Sequence, residues 1–453
     1  MNYKDFLARK HFDDTPTGLS VIPELSTQLF DFQRAIVTWA LRRGRAAIFA
    51  DCGMGKTPMQ LEIAKHMPGR VLIVAPLAVS GQTVLEGAKF GVPIKYLRHD
   101  EKVTRIVITN YEMLENFNPD DFECVILDES SILKSYTGKF RTFLIEQWGK
   151  VKFRYALTAT PAPNDYMELG NHSEFLGVMS RTEMLSMFFV HDGGETQQWR
   201  LKGHAEDEFW RWMCSWAVMI RKPSDLGFDD GKFILPPCHL NDIIVADETW
   251  SDDMLFPMQA STLPERLQAR RRTVAARVER CAELANASSQ PRLIWCNLNS
   301  ESEAITKAIP DAVEVKGSDD FETKEDRLIG FSLGKYRVLV TKPSIAGFGM
   351  NWQHCNEMDF VGLSDSYEQF YQALRRCWRF GQTREVFANI ITADTEGAVT
   401  ANIRRKERES LAMAANMVKH MKDISSSEIR GTRRVSKSYL PKNNIKLPNF
   451  LNA

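Results

Sequence analysis

Short apolar runs alternate with helical stretches along most of the chain. The apolar residues from 28 to 41 have the spacing of a helix. The later runs are apolar and rich in β-branched residues, and they lie at 46–50, 70–76, 105–114, 124–130 and 153–163, and then at 292–296, 312–315, 337–341, 357–362 and 386–392. Such strands, separated by segments long enough for a crossover, predict parallel sheets covered by helices on both faces. We therefore expect an α/β protein with two parallel-sheet units.

Residues 181–235 interrupt this rhythm with a dense group of aromatic side chains. Their spacing favours helices over strands, and most of the rings are expected to form the core of a small helical insert. A role in stacking against nucleic acid is the alternative. The chain is accordingly divided into an irregular lead-in, a first sheet unit, a helical insert with its linker, a second sheet unit, and a helical end with a basic tail, at 1–25, 26–180, 181–240, 241–410 and 411–453.

Composition narrows the class of protein. The 453 residues are 43% hydrophobic and 26% charged, which is typical of a globular chain with two or three packed domains. No apolar run approaches the length of a membrane span, and the first residues lack the order of a signal peptide, so a cytoplasmic protein is expected. The 8 cysteines are dispersed without paired spacing, which favours reduced thiols over disulfides or a zinc site.

The clearest chemical signal is the run AAIFADCGMGKT at 46–57, which passes from a strand into a glycine-rich turn. Gly53 and Gly55 allow successive backbone N–H groups to point at phosphate oxygens. Lys56 can then reach the β- and γ-phosphates, and Thr57 can bind Mg²⁺. Ala50 stands where the usual pattern has a glycine. The run predicts a phosphate-binding loop, with an ordinary strand-to-helix turn as the alternative.

Charged residues in two other segments could act on a phosphoryl group. The strand at 124–130 ends with Asp128 and Glu129, where one carboxylate can bind Mg²⁺ and its neighbour can polarise water. Farther along, Gln372, Arg376 and Arg379 would share one face if a single helix carried all three. Such guanidinium groups could neutralise charge on a transferred phosphoryl group. Solvated acidic and basic surfaces are the alternatives.

The formal net charge is +0, so any surface that binds nucleic acid must be locally basic. Two segments meet that condition, a predicted helix at 264–282 and the tail from Arg430. The helix carries Arg266, Arg270, Arg271, Arg272, Arg277 and Arg280. A contact with duplex DNA and a solvated face are equally compatible with this helix. The tail could add nonspecific affinity or could be a solubilising terminus.

A series of segments, taken in chain order, resembles the motifs of the superfamily-two helicase-like ATPases, and within them the Swi/Snf-type DNA translocases. FDFQRAIVTWAL resembles the glutamine motif, DCGMGKT motif I, VLIVAPLAV motif Ia, VITNYEML motif Ib, VILDESSILK the DExx box, YALTATPAPN the motif that couples the two domains, LPPCHL the segment before the second domain, RLIWCNL motif IV, VLVTKPSIAGFGMNW motif V, and YEQFYQALRRCWRFGQTREV motif VI. The resemblance covers most of residues 28–408. It implies two RecA-like parallel-sheet domains in tandem, with a short helical insert between them.

The resemblance also implies a role for particular residues. Catalytic roles fall to Glu129, Asp128, Lys56, Arg376 and Arg379. ATP would be bound by Gln33, Gly53, Gly55, Lys56, Thr57 and Gly349, and Mg²⁺ by Thr57 and Asp128. Thr158, Thr160 and Ser131 would couple nucleotide state to domain movement. Contacts with nucleic acid would come from Pro76, Thr109, Asn110, Lys342 and Ser344.

The implied function is an ATP-hydrolysing DNA motor that uses ATP and Mg²⁺ and acts on double-stranded DNA. A strand-separating DNA or RNA helicase and a nucleic-acid-binding scaffold with a decayed ATPase are the alternatives. Small, stand-alone members of this kind are typical of bacteria, phages and prophages, which is the source we expect. Ser130 and Ser131 stand where the family commonly has alanine and histidine, and Ala159 where glycine is frequent. Because the Ser131 hydroxyl could still bond to the coupling motif, hydrolysis is expected to survive.

Overall fold

Two parallel β-sheets dominate the structure, a computed structural model that describes residues 16–134, 138–191, 199–246, 268, 270–346 and 350–429. One sheet has 7 strands and the other has 6. Every strand pair within these two sheets is parallel. The predicted α/β class with two RecA-like sheet units is therefore confirmed.

The first sheet unit is built around the 7-stranded sheet. Its elements in chain order are α1 (Asp31–Arg43), β1 (Arg45–Ala50), α2 (Lys56–His66), β2 (Val71–Ala75), α3 (Leu77–Lys89), β3 (Lys95–Tyr96), β4 (Ile106–Asn110), β5 (Cys124–Asp128), α4 (Lys139–Phe143), β6 (Phe153–Leu157), α5 (Leu169–Leu176), α6 (Arg181–Phe188), β7 (Phe189–His191), β8 (Trp199–Leu201), α7 (Glu206–Trp216) and β9 (Ala217–Ile220). The strand order is β3-β4-β2-β5-β6-β1-β9. The strands β2, β4, β5 and β6 are buried along their whole length, because helices cover both faces of the sheet.

The second sheet unit contains the 6-stranded sheet. Its elements are β10 (Cys238–Val245), α8 (Val274–Asn286), β11 (Arg292–Cys296), α9 (Asn299–Ala308), β12 (Ala312–Glu314), α10 (Phe321–Ser332), β13 (Val338–Thr341), α11 (Pro343–Ala346), β14 (Glu357–Val361), α12 (Tyr367–Leu374), β15 (Val386–Ala393) and α13 (Gly397–Ile429). The strand order is β10-β15-β14-β11-β13-β12. Separate apolar clusters pack on its two faces.

The strand order of the first sheet decides where its loops meet. β6 lies between β5 and β1, and all three run in the same direction. The segments that follow these strands, from residues 51, 129 and 158, therefore leave the same edge of the sheet side by side. Ligands of open parallel sheets bind at this carboxyl edge.

The aromatic segment differs from the prediction, because strands interrupt its helices. β7 and β8 form an antiparallel hairpin, and β9 pairs with β1 as an additional strand of the first sheet. The rings themselves are core, as expected, and Phe209, Trp210 and Trp216 are fully buried. A run of four apolar residues, AVMI, cannot be distinguished from a helix segment by its periodicity. The domain boundaries stay predictions.

The helix α13 connects the two sheet units. Near its start, Val399 and Ile403 lie in the core of the second unit. Farther along, Met413, Met417 and Met421 lie in the core of the first unit. Although α13 is 33 residues long, the described part of the chain has no helix long and apolar enough to cross a membrane. The basic tail predicted from Arg430 lies outside the described residues.

Two arginines of the predicted basic helix are buried, so the expectation that they face DNA or solvent is wrong. Arg277 is 0% exposed and donates to the carboxylates of Glu301 at 2.5 Å and Glu396 at 2.9 Å. Arg270 also pairs with Glu396, at 3.2 Å. These ion pairs join α8 and the residues just before it to α9 and to the turn that follows β15. Each buried charge thereby has a partner of opposite sign. Arg266 lies outside the described residues.

Met417→Ala tests the contact of α13 with the first unit. Met417 is 0% exposed, and truncating a buried methionine costs about 2–5 kcal/mol of unfolding free energy. The same truncation of Leu411, which is 42% exposed on the same helix, is the control and should cost roughly 1 kcal/mol or less. The midpoint of urea unfolding measures both effects. Equal midpoints for the two variants would show that α13 does not belong to the first core.

Candidate nucleotide site between the two sheet units

The loop after β1 has the backbone of a phosphate-binding turn. Gly53 has a φ of 91° and Gly55 a φ of 82°, and Gly55 is the residue that precedes α2. A Cβ on Gly53 would lie 3.0 Å from the backbone nitrogen of Phe380, and one on Gly55 would lie 2.2 Å from the Gln33 amide nitrogen. Both positions therefore require glycine for two reasons, left-handed backbone and close neighbours. Phe380 belongs to the second unit, so the loop lies against that unit.

Gln33, predicted to contact adenine, supports the loop in this structure. Its side-chain Nε2 donates to the backbone oxygen of Met54 at 2.9 Å. Its Oε1 accepts from the backbone N–H of Phe30 at 3.0 Å. The Phe30 ring is 45% exposed and lies 6.4 Å from the ring of Phe380. Through its two hydrogen bonds, the Gln33 side chain connects the start of α1 to the phosphate loop.

Lys56, the first residue of α2, has its ammonium at the centre of the site. Its Nζ donates to the backbone oxygen of Ala50 at 3.2 Å and lies 3.8 Å from the Glu129 carboxylate. Burial alone would lower the pKa of Lys56, but the charges of Glu129 and other acidic neighbours outweigh it and raise the pKa above its ordinary value. The ammonium therefore stays charged, and it can exchange the Ala50 carbonyl for a phosphate oxygen.

The carboxylate of Asp128 is buried at the end of β5. Its Oδ2 accepts from the side-chain amide of Gln60 at 3.0 Å, and its Oδ1 accepts from the backbone N–H of Glu129 at 3.1 Å. Burial, followed by the charge of Glu129, raises the pKa of Asp128 to about 6. A cation bound beside this carboxylate would favour its charged form and so lower the pKa of Asp128 again.

The donor set fits Mg²⁺. Gln60 is one turn after Thr57 on α2, so its bond to Asp128 shows that the start of this helix faces the carboxylate. The other amide atom, Oε1 of Gln60, is buried without a hydrogen-bond partner. A hydroxyl, a carboxylate and an amide oxygen are hard oxygen ligands of the kind Mg²⁺ prefers, with water completing the set.

Glu129 has an unusual backbone. Its φ is 52°, a left-handed conformation that costs a residue with a side chain about 1–3 kcal/mol. This turn directs the carboxylate toward Lys56 and toward Thr158, whose Oγ1 donates to Glu129 Oε2 at 3.4 Å. The backbone N–H of Thr160 donates in turn to Thr158 Oγ1 at 3.1 Å. The predicted water-polarising carboxylate is therefore linked to the predicted coupling residues.

The two serines after Glu129 have different partners. Ser131 Oγ donates to the backbone oxygen of Glu129 at 3.5 Å, so this bond stays within its own turn. Ser130 Oγ lies 3.1 Å from Nε2 of His172 on α5. Burial lowers the pKa of His172 to about 4, so the imidazole is neutral near pH 7. A histidine from a distant helix thus supports the turn that holds Glu129.

The predicted arginines of the second unit lie beyond the end of α12, which stops at Leu374. Gln372, Arg376 and Arg379 therefore do not share a helix face. The guanidinium groups of Arg376 and Arg379 nevertheless lie close together, because both donate to one backbone oxygen. Arg376 donates to the backbone oxygen of Met350 at 3.1 Å, and Arg379 donates to the same oxygen at 3.3 Å. Burial, and then the charge of Arg376, lowers the pKa of Arg379 to about 10. Gly349, beside this acceptor, lies outside the described residues.

The residues predicted to bind nucleic acid fall into two groups. Thr109 and Asn110 are buried; Thr109 Oγ1 donates to the backbone oxygen of Leu97 at 2.8 Å, and Asn110 Oδ1 accepts from a tyrosine hydroxyl at 2.9 Å. A contact through either side chain would require breaking these bonds. In the second unit, Ser344 is exposed and Lys342 is half-buried. Pro76, at the start of α3, is half-buried.

Comparisons with known proteins give partial matches. No family model matches the chain. The mouse DNA annealing helicase and endonuclease ZRANB3 is 28% identical over an alignment of 169 residues, and the match covers 32% of this chain and 16% of the mouse protein. A fragment of a putative HsdR subunit of a type I restriction enzyme from Vibrio vulnificus has a TM-score of 0.54 at 15% identity, over 88% of this chain and 70% of that one. The SWI2/SNF2 ATPase core of Sulfolobus solfataricus, in complex with dsDNA, has a TM-score of 0.42 at 17% identity, over 92% of this chain and 100% of that one.

This chain thus shares a segment of similar sequence with a protein that is named a helicase. The resemblance to the Swi/Snf-type helicase-like ATPases is confirmed. The likeness to the restriction subunit shows the fold. The bacterial or phage source stays a prediction.

Several residues of this candidate site were missed from the sequence. Gln60 supports Asp128, as described above. Glu368 on α12 accepts from Thr160 Oγ1 at 3.4 Å and pairs with Lys134, so one carboxylate joins the two units. Arg375 crosses to Asp51, at 3.1 Å, whereas the resemblance directed attention to Arg376 and Arg379. Helical spacing around α12 could have indicated this face, because Glu368 and Arg375 are seven positions apart.

His172→Gln tests the buried imidazole. The folded pKa of about 4 lies below the ordinary value of 6.5, so the unfolded chain binds a proton first as the pH falls. The stability that neutral His172 provides is complete above pH 6.5 and is lost toward pH 4, by roughly 3 kcal/mol. Glutamine does not titrate. The difference in unfolding free energy between wild type and variant, measured in urea from pH 7 to pH 4, should shrink by that amount; parallel curves would contradict the assignment.

Proposed function

We propose that the chain is an ATP-hydrolysing DNA motor, a translocase or remodeller that acts on double-stranded DNA. One observation carries the proposal: Lys56, Asp128 and Glu129 converge at the carboxyl edge of the first sheet. The loop they flank lies against Phe380, the neighbour of Arg379 in the second unit. A site shared by two sheet units can convert ATP turnover into relative movement.

The residues of the first unit divide the work of hydrolysis. The left-handed glycines turn the loop so that its N–H groups and the start of α2 face the phosphates. Lys56 leaves the Ala50 carbonyl and binds the terminal phosphates. Glu129 polarises the attacking water, and its bond to Thr158 holds the carboxylate in place. Mg²⁺, held by Thr57 and Asp128, supplies neutralisation of the phosphate charge.

The residues of the second unit complete the site. Arg376 is buried and Arg379 half-buried, and both donate to the Met350 carbonyl, an arrangement in which two positive charges lie close together. Burial, and then the charge of Arg376, lowers the pKa of Arg379, so the two guanidinium groups repel each other. Negative charge that develops on a phosphoryl group would relieve it. Stabilisation by arginine of this kind contributes about 10³–10⁵ to the rate in other phosphoryl-transfer enzymes.

DNA is the proposed partner because the aligned relative is named a DNA annealing helicase, although the match covers only 16% of it. Lys342 and Ser344 offer surface contacts that suit a phosphate backbone. Contact with phosphates would bind duplexes of any sequence, which a translocase requires.

Stimulation of ATP hydrolysis identifies the partner. The full chain is assayed at one salt concentration with no nucleic acid, with single-stranded DNA, with RNA, and with duplex DNA of matched length. Duplex DNA should increase the rate at least about 10-fold over the chain alone, since it favours the closed arrangement of the two units. Equal stimulation by single strands or RNA would reject the duplex translocase. Steady separation of a fluorophore–quencher duplex with a short overhang would then favour the helicase.

Glu129→Gln tests the assigned chemistry. The variant keeps the shape of the side chain but cannot accept a proton, so turnover should fall by about 10²-fold or more. Binding of a fluorescent ATP analogue should persist, because Lys56 and the loop remain. Glu283→Gln, the same exchange at an exposed position on α8, is the matched control and should behave as wild type. An unchanged rate in the Glu129 variant would favour a scaffold without hydrolytic activity.

A further inference from the structure

The helix α12 presents one charged face to the first sheet unit. Glu368, Tyr371 and Arg375 are spaced three and four residues apart, so they lie on one side of the helix and its C-terminal end. Glu368 pairs with Lys134 and accepts from Thr160. The other two residues contact the segment that enters the phosphate loop. α12 therefore makes two separate contacts with the first unit.

Arg375 is buried in the contact with the phosphate loop. Its guanidinium pairs with the Asp51 carboxylate at 3.1 Å and also donates to the backbone oxygen of Cys52. The ring of Trp378 lies under the same cation, with its centroid 4.9 Å away. Only 3% of the Arg375 side chain and 8% of the Asp51 side chain are exposed. In such surroundings charges attract more strongly than in water, and a charge left without its partner is costly.

Asp51 is the residue that shapes the entrance to the loop. Its carboxylate accepts from the backbone N–H of Cys52 at 2.7 Å and from the hydroxyl of Tyr371. Its backbone N–H donates to the oxygen of Ile220 in β9 at 2.9 Å, and its backbone oxygen accepts from the N–H of Met54 at 3.1 Å. Every polar group of Asp51 is thus engaged, within the loop, with the sheet, or with α12. The residue before it, Ala50, is the acceptor of Lys56.

We propose that Arg375 is a positioning residue: through Asp51 and the Cys52 carbonyl it fixes the conformation of the phosphate loop according to the position of the second sheet unit. When the units are closed, the loop is held ready for phosphate. When they separate, Asp51 loses a cation and the hydroxyl of Tyr371, and the loop relaxes. The affinity for ATP is thereby coupled to closure. This inference rests on the proposed ATPase function.

A simpler role for Arg375 is to hold the two units together. The second contact of α12 distinguishes the two roles, because Lys134 also joins the units through Glu368 but does not touch residues 51–55. Lys134→Gln therefore weakens the interface without acting on the loop directly. If Arg375 acts only as an anchor, Lys134→Gln and Arg375→Gln will affect the loop equally.

The test measures hydrogen–deuterium exchange of the peptide that contains residues 51–57 in the full chain without nucleotide. Arg375→Gln and Asp51→Asn should each accelerate exchange in this peptide at least about fivefold, since each removes one side of the same coupling. The double variant should be no faster than the faster single variant, because both report one interaction. Lys134→Gln should accelerate exchange in this peptide clearly less than Arg375→Gln does, because it acts only by weakening the interface and leaves the contacts of Arg375 with Asp51 and Cys52 in place. Thermal melting confirms that each variant is folded.

Arg375→Lys keeps the positive charge but cannot reach both acceptors, so intermediate exchange is expected even if the glutamine variant fails to fold. The KM for ATP should rise about tenfold in Arg375→Gln with a smaller change in kcat, as expected when binding is coupled to closure. If wild type does not hydrolyse ATP, the proposed function fails while the exchange measurement still decides this inference. Unchanged exchange in both Arg375 variants, or equal acceleration by Lys134→Gln, would overturn it.

Discussion

Opposite charges face each other across the boundary between the two sheet units, and the candidate site depends on this opposition. The first unit contributes Asp51, Asp128 and Glu129 at the carboxyl edge of its sheet, with Lys56 as their internal cation. The second unit contributes buried guanidinium groups that follow α12. Burial, and on each side the crowding of like charges, shift the pKa of Asp128 up and that of Arg379 down. Each half is therefore electrostatically incomplete without the other.

The backbone conformation of the site costs free energy, as does the crowding of its charges. Glu129 has a left-handed φ without being a glycine, and it follows a strand that is buried along its whole length. Such a conformation persists only where its surroundings hold it. Here Thr158 and the Ser130–His172 contact provide that support from β6 and α5. Rigid strands behind a strained turn allow the Glu129 carboxylate to keep one position.

The sequence predicted the strands that are buried on both faces, because a continuous apolar run is a local signal. It predicted the edge strand β12 but missed the edge strands β3, β9 and β10: β10 is half-exposed, and β3 and β9 have only two and four residues. For the site, the glycine loop and the strand-end carboxylates were recognisable from chemistry and spacing. The partners of Arg375, Arg277 and Gln60 could not be recognised, because each partner is distant in the sequence. The sequence also does not distinguish a buried arginine from a solvated one.

The path of α13 limits how the two sheet units can move relative to each other. The chain passes from the first sheet unit to the second at residues 221–237 and returns along α13, whose methionines lie in the first core. Because the chain joins the two units at two places, the easiest relative movement of the units is a rotation about the line through those places. Sliding or twisting of one unit against the other must bend a helix or pull methionines out of a core. The axis of any relative rotation of the two units would thus be set by the covalent path of the chain.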